Sequence, residues 1–203
     1  MGVYPSKKDD ISIVLCGEAG QGIQTVEFLL TRLLKKCGYN FYATKEYMSR
    51  IRGGSNSTEI RVSSNRVSAF VERIDLLFPL TKEALNHVRN RISSETILIG
   101  ESDKLTDEND IDKYDIIDIP FSQLAVDIGG KIYSNIIAVG VISALLSLER
   151  EIVDDYLKKY FSKKDRNIIN NNIKAMEKGY EIGKGLINSG TITIEVQKNP
   201  DIK

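Results

Sequence analysis

The chain has 203 residues, 41% of them hydrophobic, a length and composition that fit one domain with a substantial core. Its 28 lysines and arginines are balanced by 28 aspartates and glutamates, so no net charge attracts a polyanion, and a dedicated nucleic-acid binder is excluded. The first ten residues are polar where a secretory signal is apolar, and the longest apolar stretch, 136–148, is too short for a membrane helix, so we expect a cytoplasmic protein without a membrane segment.

The chain opens with a pattern typical of a β-α-β unit. Residues 11–15 are a short β-branched apolar run, which predicts a strand buried on both faces of a parallel sheet. A glycine loop follows, and then apolar residues at helical spacing lead to Gly38, which suits a helix C-cap. Residues 39–43 predict the second strand.

A β-hairpin is predicted in the next part of the chain. Residues 58–63 alternate between polar and apolar side chains, residues 64–65 give a turn signal, and residues 67–71 resume the extended pattern. The charged segment 101–110 lacks periodicity and predicts a solvated loop or flap. Further strands are predicted at 76–78, 96–100 and 114–118, with a helix at 81–91.

The second half of the chain predicts helices and a short final strand. Residues 191–196 suit an edge strand, and residues 197–203 have the composition of a linker. We therefore expect an α/β domain at 1–196, followed by a linker or tail at 197–203. Its fold class is a three-layer Rossmann-like domain, with a mostly parallel sheet, a β-hairpin and a helical C-terminal portion. Helices are predicted at 122–128, from Asn135, at 149–161 and onward to Ile187.

The glycine loop is the first candidate site. A turn from strand to helix leaves the first helical amides unpaired, and glycines let the oxygens of a ligand come close to them. The Gly-x-x-Gly-x-Gly spacing is not the dinucleotide fingerprint, and no Gly-Lys-Ser/Thr ending makes it a P-loop. Contact with an anionic ligand and a purely structural tight turn both remain open. The loop consists of Gly17, Glu18, Ala19, Gly20, Gln21 and Gly22.

A second segment, which we call the arginine elbow, spans residues 49–55 and is rich in arginine and glycine. Arg50 and Arg52 are two residues apart, so in an extended conformation both guanidinium groups leave the same side. Two planar guanidinium groups suit a phosphate or a carboxylate. Alternatively, the arginines could stabilise a conformationally restricted turn by donating hydrogen bonds to backbone carbonyls. The candidate cofactor-binding residues of both segments are Gly17, Gly20, Gln21, Gly22, Arg50, Arg52, Gly53 and Gly54.

No other reactive side chain indicates a catalytic or metal site. Cys16 and Cys37 lack metal-ligand spacing, and Cys16 ends a buried strand, where a thiol is inert. His87, the only histidine, suits a solvent-facing or capping role better than a general base. The aromatic run at 156–161 is typical of core or partner-helix packing, and it would mark a subunit interface if exposed. We therefore expect no catalytic residue and no metal ligand.

Taken in order, these segments resemble the gamma subunit, or gamma domain, of the 2-oxoacid:ferredoxin (acceptor) oxidoreductases. The family's Gly-x-Gly-Gly-Gln-Gly corresponds to residues 17–22, and its Tyr-x-Ser-Arg-x-Arg-Gly-Gly to residues 47–54. Arg-Val-Ser follows at 61–63. The family's helical motifs Asn-x-x-Ala-x-Gly and Asn-x-x-Ala-x-x-x-Gly-Tyr correspond to residues 135–140 and 172–180.

The resemblance implies a subunit of an enzyme that oxidatively decarboxylates pyruvate, 2-oxoglutarate or a related 2-oxoacid to acyl-coenzyme A and CO₂. In this family, thiamine diphosphate, Mg²⁺ and iron–sulfur clusters belong mainly to the alpha, beta and, where present, delta subunits. Electrons leave to ferredoxin or another acceptor. The chain would then be inactive alone, and the choice of 2-oxoacid would lie with its partner subunits.

The same resemblance implies that the chain helps to assemble the complex and borders the approach of coenzyme A. Arg50, Arg52 and the loop amides are the candidate anion contacts. Ala19 departs from the family, which often has glycine there, and alanine resists the positive φ that a close ligand contact can require. The elbow is most similar to members whose gamma domain is fused ahead of an alpha domain, so the chain could be the front section of a longer subunit.

Two other functions also fit the residues. One is a free-standing Rossmann-like protein that binds a nucleotide or related cofactor at the glycine loop. The other is a purely structural scaffold subunit, in which both glycine-containing segments only shape the backbone.

Overall fold

The computed structural model describes residues 4–7, 9–18, 23–47, 55–105 and 114–202. The strands are β1 (Tyr4–Lys7), β2 (Asp10–Glu18), β3 (Asn40–Tyr47), β4 (Ser55–Ser63), β5 (Leu76–Pro79), β6 (Ile97–Gly100), β7 (Ile116–Asp118) and β8 (Ile192–Glu195). The α-helices are α1 (Ile23–Lys36), α2 (Lys82–Val88), α3 (Ser102–Leu105), α4 (Phe121–Ile128), α5 (Ser134–Leu145), α6 (Arg150–Tyr160) and α7 (Arg166–Asn188). Short 3₁₀ turns at Arg89–Arg91 and Lys131–Tyr133 precede Ile92 and α5.

One six-stranded sheet, in the order β3-β4-β2-β5-β6-β7, organises the described residues. Strands β2, β5, β6 and β7 are parallel, whereas β4 is antiparallel to both of its neighbours. We call the end at which the parallel strands finish the carboxyl edge, and the opposite end the amino edge. This mixed, mostly parallel α/β sheet confirms the predicted fold class.

Helices cover both faces of the sheet because successive strand residues place apolar side chains on both. The larger core cluster joins one face to α1, α5 and α7, and includes Ile13, Leu15 and Ile60. The smaller cluster joins the other face to α2, and includes Val14 and Leu77. These clusters are the interfaces of a three-layer structure.

The hairpin predicted at 58–63 and 67–71 is wrong, because only its first half is a strand. Strand β4 lies between β2 and β3, so both of its edges are already hydrogen-bonded. The second half has no regular structure, and arginine side chains take up backbone carbonyls within it, for example Ala69 O and Val71 O. The antiparallel partner that follows β4 in the prediction in fact precedes it, as β3.

Two further segments differ from the prediction. The stretch 101–110 is not all loop, since α3 forms at Ser102–Leu105 and buries Leu105; residues 106–110 lie outside the described part. The strand predicted at 191–196 exists as β8, but it pairs with β1 in a separate two-stranded parallel sheet rather than joining the main sheet.

Close packing of α5 on α7 accounts for the glycines of the two helical motifs. A Cβ added at Gly179 would overlap the carbonyl oxygen of Ile137, and one added at Gly140 would overlap the carbonyl oxygen of Met176. In addition, the Tyr180 hydroxyl donates a hydrogen bond to Leu148 O at 2.9 Å. These motifs therefore specify a helix crossing.

The final residues pack against the turn after α1. The Asn199 amide donates to Gly38 O at 2.7 Å, and Lys198 Nζ lies 2.6 Å from Glu149 Oε1. Gly38 has a φ of 83°, as the predicted C-cap requires. The division into 1–196 and a tail stays a prediction.

Among the described residues, no single helix is long and apolar enough to cross a membrane. Only the pair 121–128 and 131–145 reaches that length and apolarity together, and it is bent by 120°. Helix α5, the second part of the pair, is packed between the sheet and α7.

Candidate functional site

The two segments singled out in the sequence leave the same edge of the sheet. Strand β2 runs into the glycine loop, while β3 and β4 flank the arginine elbow. The strand register pairs Glu18 with Ser55 and Tyr47 with Asn56, so the strand ends that carry the two segments are hydrogen-bonded neighbours. This arrangement brings together two segments that are about thirty residues apart in sequence.

Of the candidate binding residues, Gly17 alone lies within the described part of the chain. It is buried near the end of strand β2, where it pairs with Asn56 of β4. Contact between these segments and an anion therefore stays a prediction. The candidates outside the described residues are Gly20, Gln21, Gly22, Arg50, Arg52, Gly53 and Gly54.

A cleft of about 920 Å³ opens at the carboxyl edge between the described residues. Its floor includes Leu15, Phe78 and Ile99, which stand near the ends of three parallel strands. Ile23, in the first turn of α1, and Ile136, in the first turn of α5, line its walls. In open parallel sheets, ligands bind at this edge.

A small hydrogen-bonded group of polar side chains lies in the cleft. Lys104 Nζ and Ser122 Oγ each donate to Glu101 Oε1 at 2.8 Å, and Lys104 Nζ also contacts Ser122 Oγ. Lys131 and Lys164 line the same cleft. Three lysines and one carboxylate give the cleft a net positive charge beside its apolar floor.

Apolar side chains border the mouth of the cleft. Ile132 is 78% exposed, although it follows Lys131 in the 3₁₀ turn that leads into α5. Tyr160 and Ile168 line the cleft from α6 and α7 and are also exposed. Phe161 completes this side. The mouth thus combines large apolar groups with lysine ammonium groups.

The described residues do not fit a metal ion or an iron–sulfur cluster. They contain no group of three or more histidine, cysteine or acidic side chains placed to hold a metal. Both cysteines are buried, and burial, with a smaller contribution from Glu59, raises the pKa of Cys16 to about 12. Burial likewise raises the pKa of Cys37. Such thiols remain protonated, whereas metal ligation requires thiolates.

His87 takes no part in the cleft. It lies on α2, and its Nε2 is 3.4 Å from Glu46 Oε2. Because His87 is not among the cleft residues, its position supports no role as a general base acting there.

The amino edge carries a different kind of charged group, in which each charge has an opposite partner. Arg61 Nε donates to Asp10 Oδ2 at 2.7 Å, and Arg73 Nε donates to Asp75 Oδ2 at 3.2 Å. Arg73 Nη2 also forms an ion pair with Asp10. The Ser12 amide donates to Asp75 Oδ2 at 2.7 Å, which ties the network to β2. We call these groups the amino-edge network.

A second ion pair holds the irregular stretch after β4 against the sheet. Arg91 Nη2 donates to Glu59 Oε2 at 2.9 Å, Nη1 contacts Oε1, and Nε donates to Glu72 O at 2.9 Å. The hydrogen bond to Glu59 is the main cause that raises the pKa of Arg91. Glu59 is buried in β4, so this bidentate pair satisfies a carboxylate in the sheet. The role of the pair is structural.

Sequence reasoning missed the polar residues of the cleft. Glu101 and Lys104 lie in the stretch predicted as a solvated loop, and Ser122 was predicted only as the first residue of a helix. One available signal was position, since residue 101 follows directly on the predicted strand 96–100 at its carboxyl end.

Comparison with known proteins assigns the chain to a family. The sequence profile of the pyruvate ferredoxin/flavodoxin oxidoreductase family matches residues 12–182. The chain belongs to this family. The 2-oxoglutarate synthase subunit KorC of Archaeoglobus fulgidus is 25% identical over 177 residues, which cover 86% of this chain and 89% of that protein.

Two solved structures share the fold. A 2-oxoglutarate:ferredoxin oxidoreductase from Magnetococcus marinus, with 2-oxoglutarate, coenzyme A and succinyl-CoA bound, has a TM-score of 0.83 and 23% identity. The match covers 97% of this chain but 34% of that one, so this chain spans about a third of its length. The gamma subunit of a keto/oxoacid ferredoxin oxidoreductase from Geobacter sulfurreducens has a TM-score of 0.67 and 23% identity, over 86% of this chain and 99% of that one.

Proposed function

We propose that the chain is the gamma component of a 2-oxoacid:ferredoxin oxidoreductase and that its carboxyl-edge cleft borders the site of coenzyme A. Family membership and the similarity to KorC over most of both chains support the first part. The observation that carries the second is the cleft itself, which opens at the same edge of the sheet as the strand ends that flank the two family segments. Neither part requires a catalytic residue in this chain.

The cleft has the chemistry that coenzyme A needs. This cofactor joins a phosphorylated nucleotide to a long, weakly polar pantetheine arm, so its site must combine cations with apolar walls. Lys104, Lys131 and Lys164 supply cations, and the strand ends supply the walls. The volume of about 920 Å³ lies within the roughly 300–1,000 Å³ of cofactor-sized pockets.

In this proposal the chain binds and positions the cofactor. Coenzyme A supplies the thiol that accepts the acyl group. Lys131 and Lys164, at the mouth, would neutralise phosphates, while Phe78 and Ile136 would exclude water from the arm. Arg50 and Arg52 would add contacts from the elbow.

The partners follow from the same proposal. We infer that alpha and beta subunits, and a delta subunit where present, carry the thiamine diphosphate, Mg²⁺ and iron–sulfur clusters, and that the complex works in the cytoplasm with ferredoxin or another acceptor. The protonated thiols of this chain agree with clusters held elsewhere.

Isothermal titration of coenzyme A into the assembled complex tests the cofactor proposal. The variants are Arg50→Ala, Arg52→Ala and Lys131→Ala, each measured beside Lys35→Ala as a control. Lys35 is an exposed lysine in the last turn of α1, about 18 Å along the helix from Ile23 in the cleft.

We expect each of the three variants to weaken coenzyme A binding by about tenfold, because each removes one charge-assisted contact. The Lys35→Ala complex should bind as the wild type does. Unchanged affinity in all three variants would exclude a role for this edge in binding the cofactor. Failure of the wild-type chain to join thiamine-dependent partners would exclude the subunit assignment.

A further inference from the structure

A surface beside the cleft mouth combines exposed aromatic rings with cations, and we call it the basic-aromatic face. It joins the middle of α1 to the end of α6 and the start of α7. Tyr160, Phe161 and Lys164 also line the cleft, the other residues of the face lie outside it, and none belongs to the glycine loop or the arginine elbow. Its members are Phe28, Arg32, Tyr156, Lys159, Tyr160, Phe161, Lys163, Lys164 and Arg166.

Tyr160 is the centre of an aromatic cluster that remains open to solvent. Its ring centroid lies 5.5 Å from that of Phe28, 6.2 Å from that of Tyr156 and 4.7 Å from that of Phe161. Nevertheless, Tyr160 is 42% exposed and Phe28 is 39% exposed. Tyr156 and Phe161 also pack against the main core, which anchors the cluster, while the exposed parts of Tyr160 and Phe28 form an aromatic contact surface.

In the part of the chain that the structure describes, the cations around these rings lack carboxylate partners. Within the described residues, no ion pair involves Lys159, Lys163, Lys164 or Arg166, and all four are exposed. Arg32 lies 5.4 Å over the Phe28 ring. The nearest acids in sequence, Asp155 and Asp165, make no ion pair with them. The face therefore has a positive electrostatic potential, whereas the arginines of the amino-edge network are neutralised by their aspartate partners.

Helix stability does not explain this cluster. Lys159, in the last turn of α6, is well placed at the negative end of a helix dipole. Lys163 and Lys164, however, lie in the turn between α6 and α7, and Arg166 is the first residue of α7, after the N-cap Asp165, where the helix dipole is positive and disfavours a cation. The helix dipoles therefore account for Lys159 but not for Arg166, and an anionic partner would offset the unfavourable position of that cation.

We propose that the basic-aromatic face is a docking surface for an acidic segment of a partner polypeptide. Exposed rings surrounded by charge have the anatomy of a protein interface, with a hydrophobic centre and a polar rim. Tyr160 and Phe28 form the centre, and the cations form a rim that steers an acidic partner and fixes its orientation.

A protein suits this face better than a nucleic acid. The chain as a whole is electrically neutral, so it lacks the broad positive field of a nucleic-acid binder. The rings also contact one another, tilted, edge to face and, for Tyr156 and Tyr160, stacked, so part of their faces is already occupied and less is left for base stacking. The identity of the partner rests on the proposed function, from which we assign the acidic segment to the alpha–beta assembly of the oxidoreductase.

Photo-crosslinking in the assembled complex tests the location of the interface. p-Benzoylphenylalanine replaces Tyr160 in one sample and Phe70 in the control, because Phe70 is an exposed aromatic residue, at 48%, on the irregular stretch after β4. We expect position 160 to crosslink to a segment of the alpha or beta subunit that is rich in aspartate and glutamate. Position 70 should give no such product.

Binding of the purified chain to an alpha–beta assembly prepared without it tests the role of charge. The double variant Lys159→Glu/Lys163→Glu removes two rim cations outside the cleft lining, and Lys35→Glu/Lys36→Glu is the matched control in the last turn of α1. We expect the first variant to bind at least tenfold more weakly at low ionic strength and to lose most of its salt dependence. The control should bind as the wild type does.

The outcomes separate the two proposals. If the wild type binds and both double variants bind equally well, with no crosslink at position 160, the docking surface is wrong while the subunit assignment stands. A crosslink to a second copy of the chain, or a loss of coenzyme A affinity rather than partner affinity in Lys159→Glu/Lys163→Glu, would also overturn it. If the wild type binds no alpha–beta assembly, the proposed function fails and the docking proposal fails with it.

Discussion

The two edges of the sheet use charged side chains in opposite ways. At the amino edge, Arg61 and Arg73 are paired with Asp10 and Asp75 and are tied to the backbone of β2. At the carboxyl edge, Lys131 and Lys164 line an open cleft and make no ion pair within the described residues. The charges of the amino-edge network are thus neutralised within the fold, whereas Lys131 and Lys164 at the carboxyl edge are available to bind other molecules.

The comparison separates the charges that support the fold from the charges that are available for binding. A cation that hydrogen-bonds a buried carboxylate or a backbone carbonyl contributes to folding, and its removal leaves a costly unpaired partner. An exposed cation without a partner contributes little to stability, so its loss is detected in binding. Substitutions at the two edges should therefore change different measurements.

The largest expected effect is at the crossing of α5 and α7, which supports both edges. Gly179→Ala should lower the free energy of unfolding by about 3 kcal/mol, because the new Cβ overlaps the Ile137 carbonyl oxygen. Gly185→Ala in the same helix is the control, since nothing lies within 4 Å of its added Cβ, and it should stabilise the chain by up to about 1 kcal/mol. Urea unfolding followed by circular dichroism measures both; equal stabilities would contradict the packing.

Breaking the ion pair next to the amino-edge network should have the next largest effect. Arg91→Ala leaves the buried Glu59 carboxylate without its bidentate partner, and we expect a loss of about 2 kcal/mol after allowing for the partial exposure of Arg91. Arg89→Ala, an exposed arginine in the same 3₁₀ turn, should change stability by less than about 0.5 kcal/mol. Coenzyme A binding by the complex should not respond to either change.

The thiol of Cys16 should make the fold sensitive to alkaline pH. Burial raises the pKa of Cys16 from 9.0 to about 12, so the folded state keeps a proton that the unfolded state releases. Below pH 9 the thiol is protonated in both states and does not change the free energy of unfolding. As the pH rises from 9 toward 12, the unfolded state releases its proton first, and the free energy of unfolding falls. Between pH 9 and 10 the wild type should lose about 1 kcal/mol more than Cys16→Ala, measured by urea unfolding at each pH. Parallel losses would mean that the thiol ionises normally in the fold.

The smallest effect on stability is expected at the carboxyl edge. Lys131→Ala should change the free energy of unfolding by less than about 0.5 kcal/mol, because the lysine is exposed and makes no ion pair within the described residues. The same change should weaken coenzyme A binding by about tenfold in the titration described above. A loss of stability comparable to that of Arg91→Ala would remove the contrast between the edges.

Much of the fold was predictable because local patterns agree with the final structure. The strand at 11–15, the helix that ends before Gly38 and the helices of the second half all follow from apolar spacing and caps. The hairpin failed because alternation at 67–71 cannot show that β4 already has two neighbours. The pairing of β8 with β1 is equally nonlocal, since about 190 residues separate them.

The sequence predicted the location of the site better than the side chains that line it. The sequence analysis assigned the glycine loop and the arginine elbow to one anion-binding role, and the strand register places their flanking residues together. Lys104, Glu101 and Ser122 could not be grouped from sequence, because their contact depends on how α3 and α4 pack at the ends of β6 and β7. The cations of the basic-aromatic face that have no ion pair within the described residues can likewise be identified only when the ion pairs of the fold are known.

Hydrogen–deuterium exchange of the chain in the assembled complex, with and without coenzyme A, tests the contrast between the edges most directly. We expect the cofactor to slow exchange in peptides covering 17–26, 48–56 and 131–137, which contain the glycine loop, the arginine elbow and the start of α5. Peptides covering 64–75, which lie on the amino-edge network, should exchange equally in both states. Protection confined to 64–75, or no protection in any of these peptides at saturating coenzyme A, would contradict the assignment of binding to the carboxyl edge.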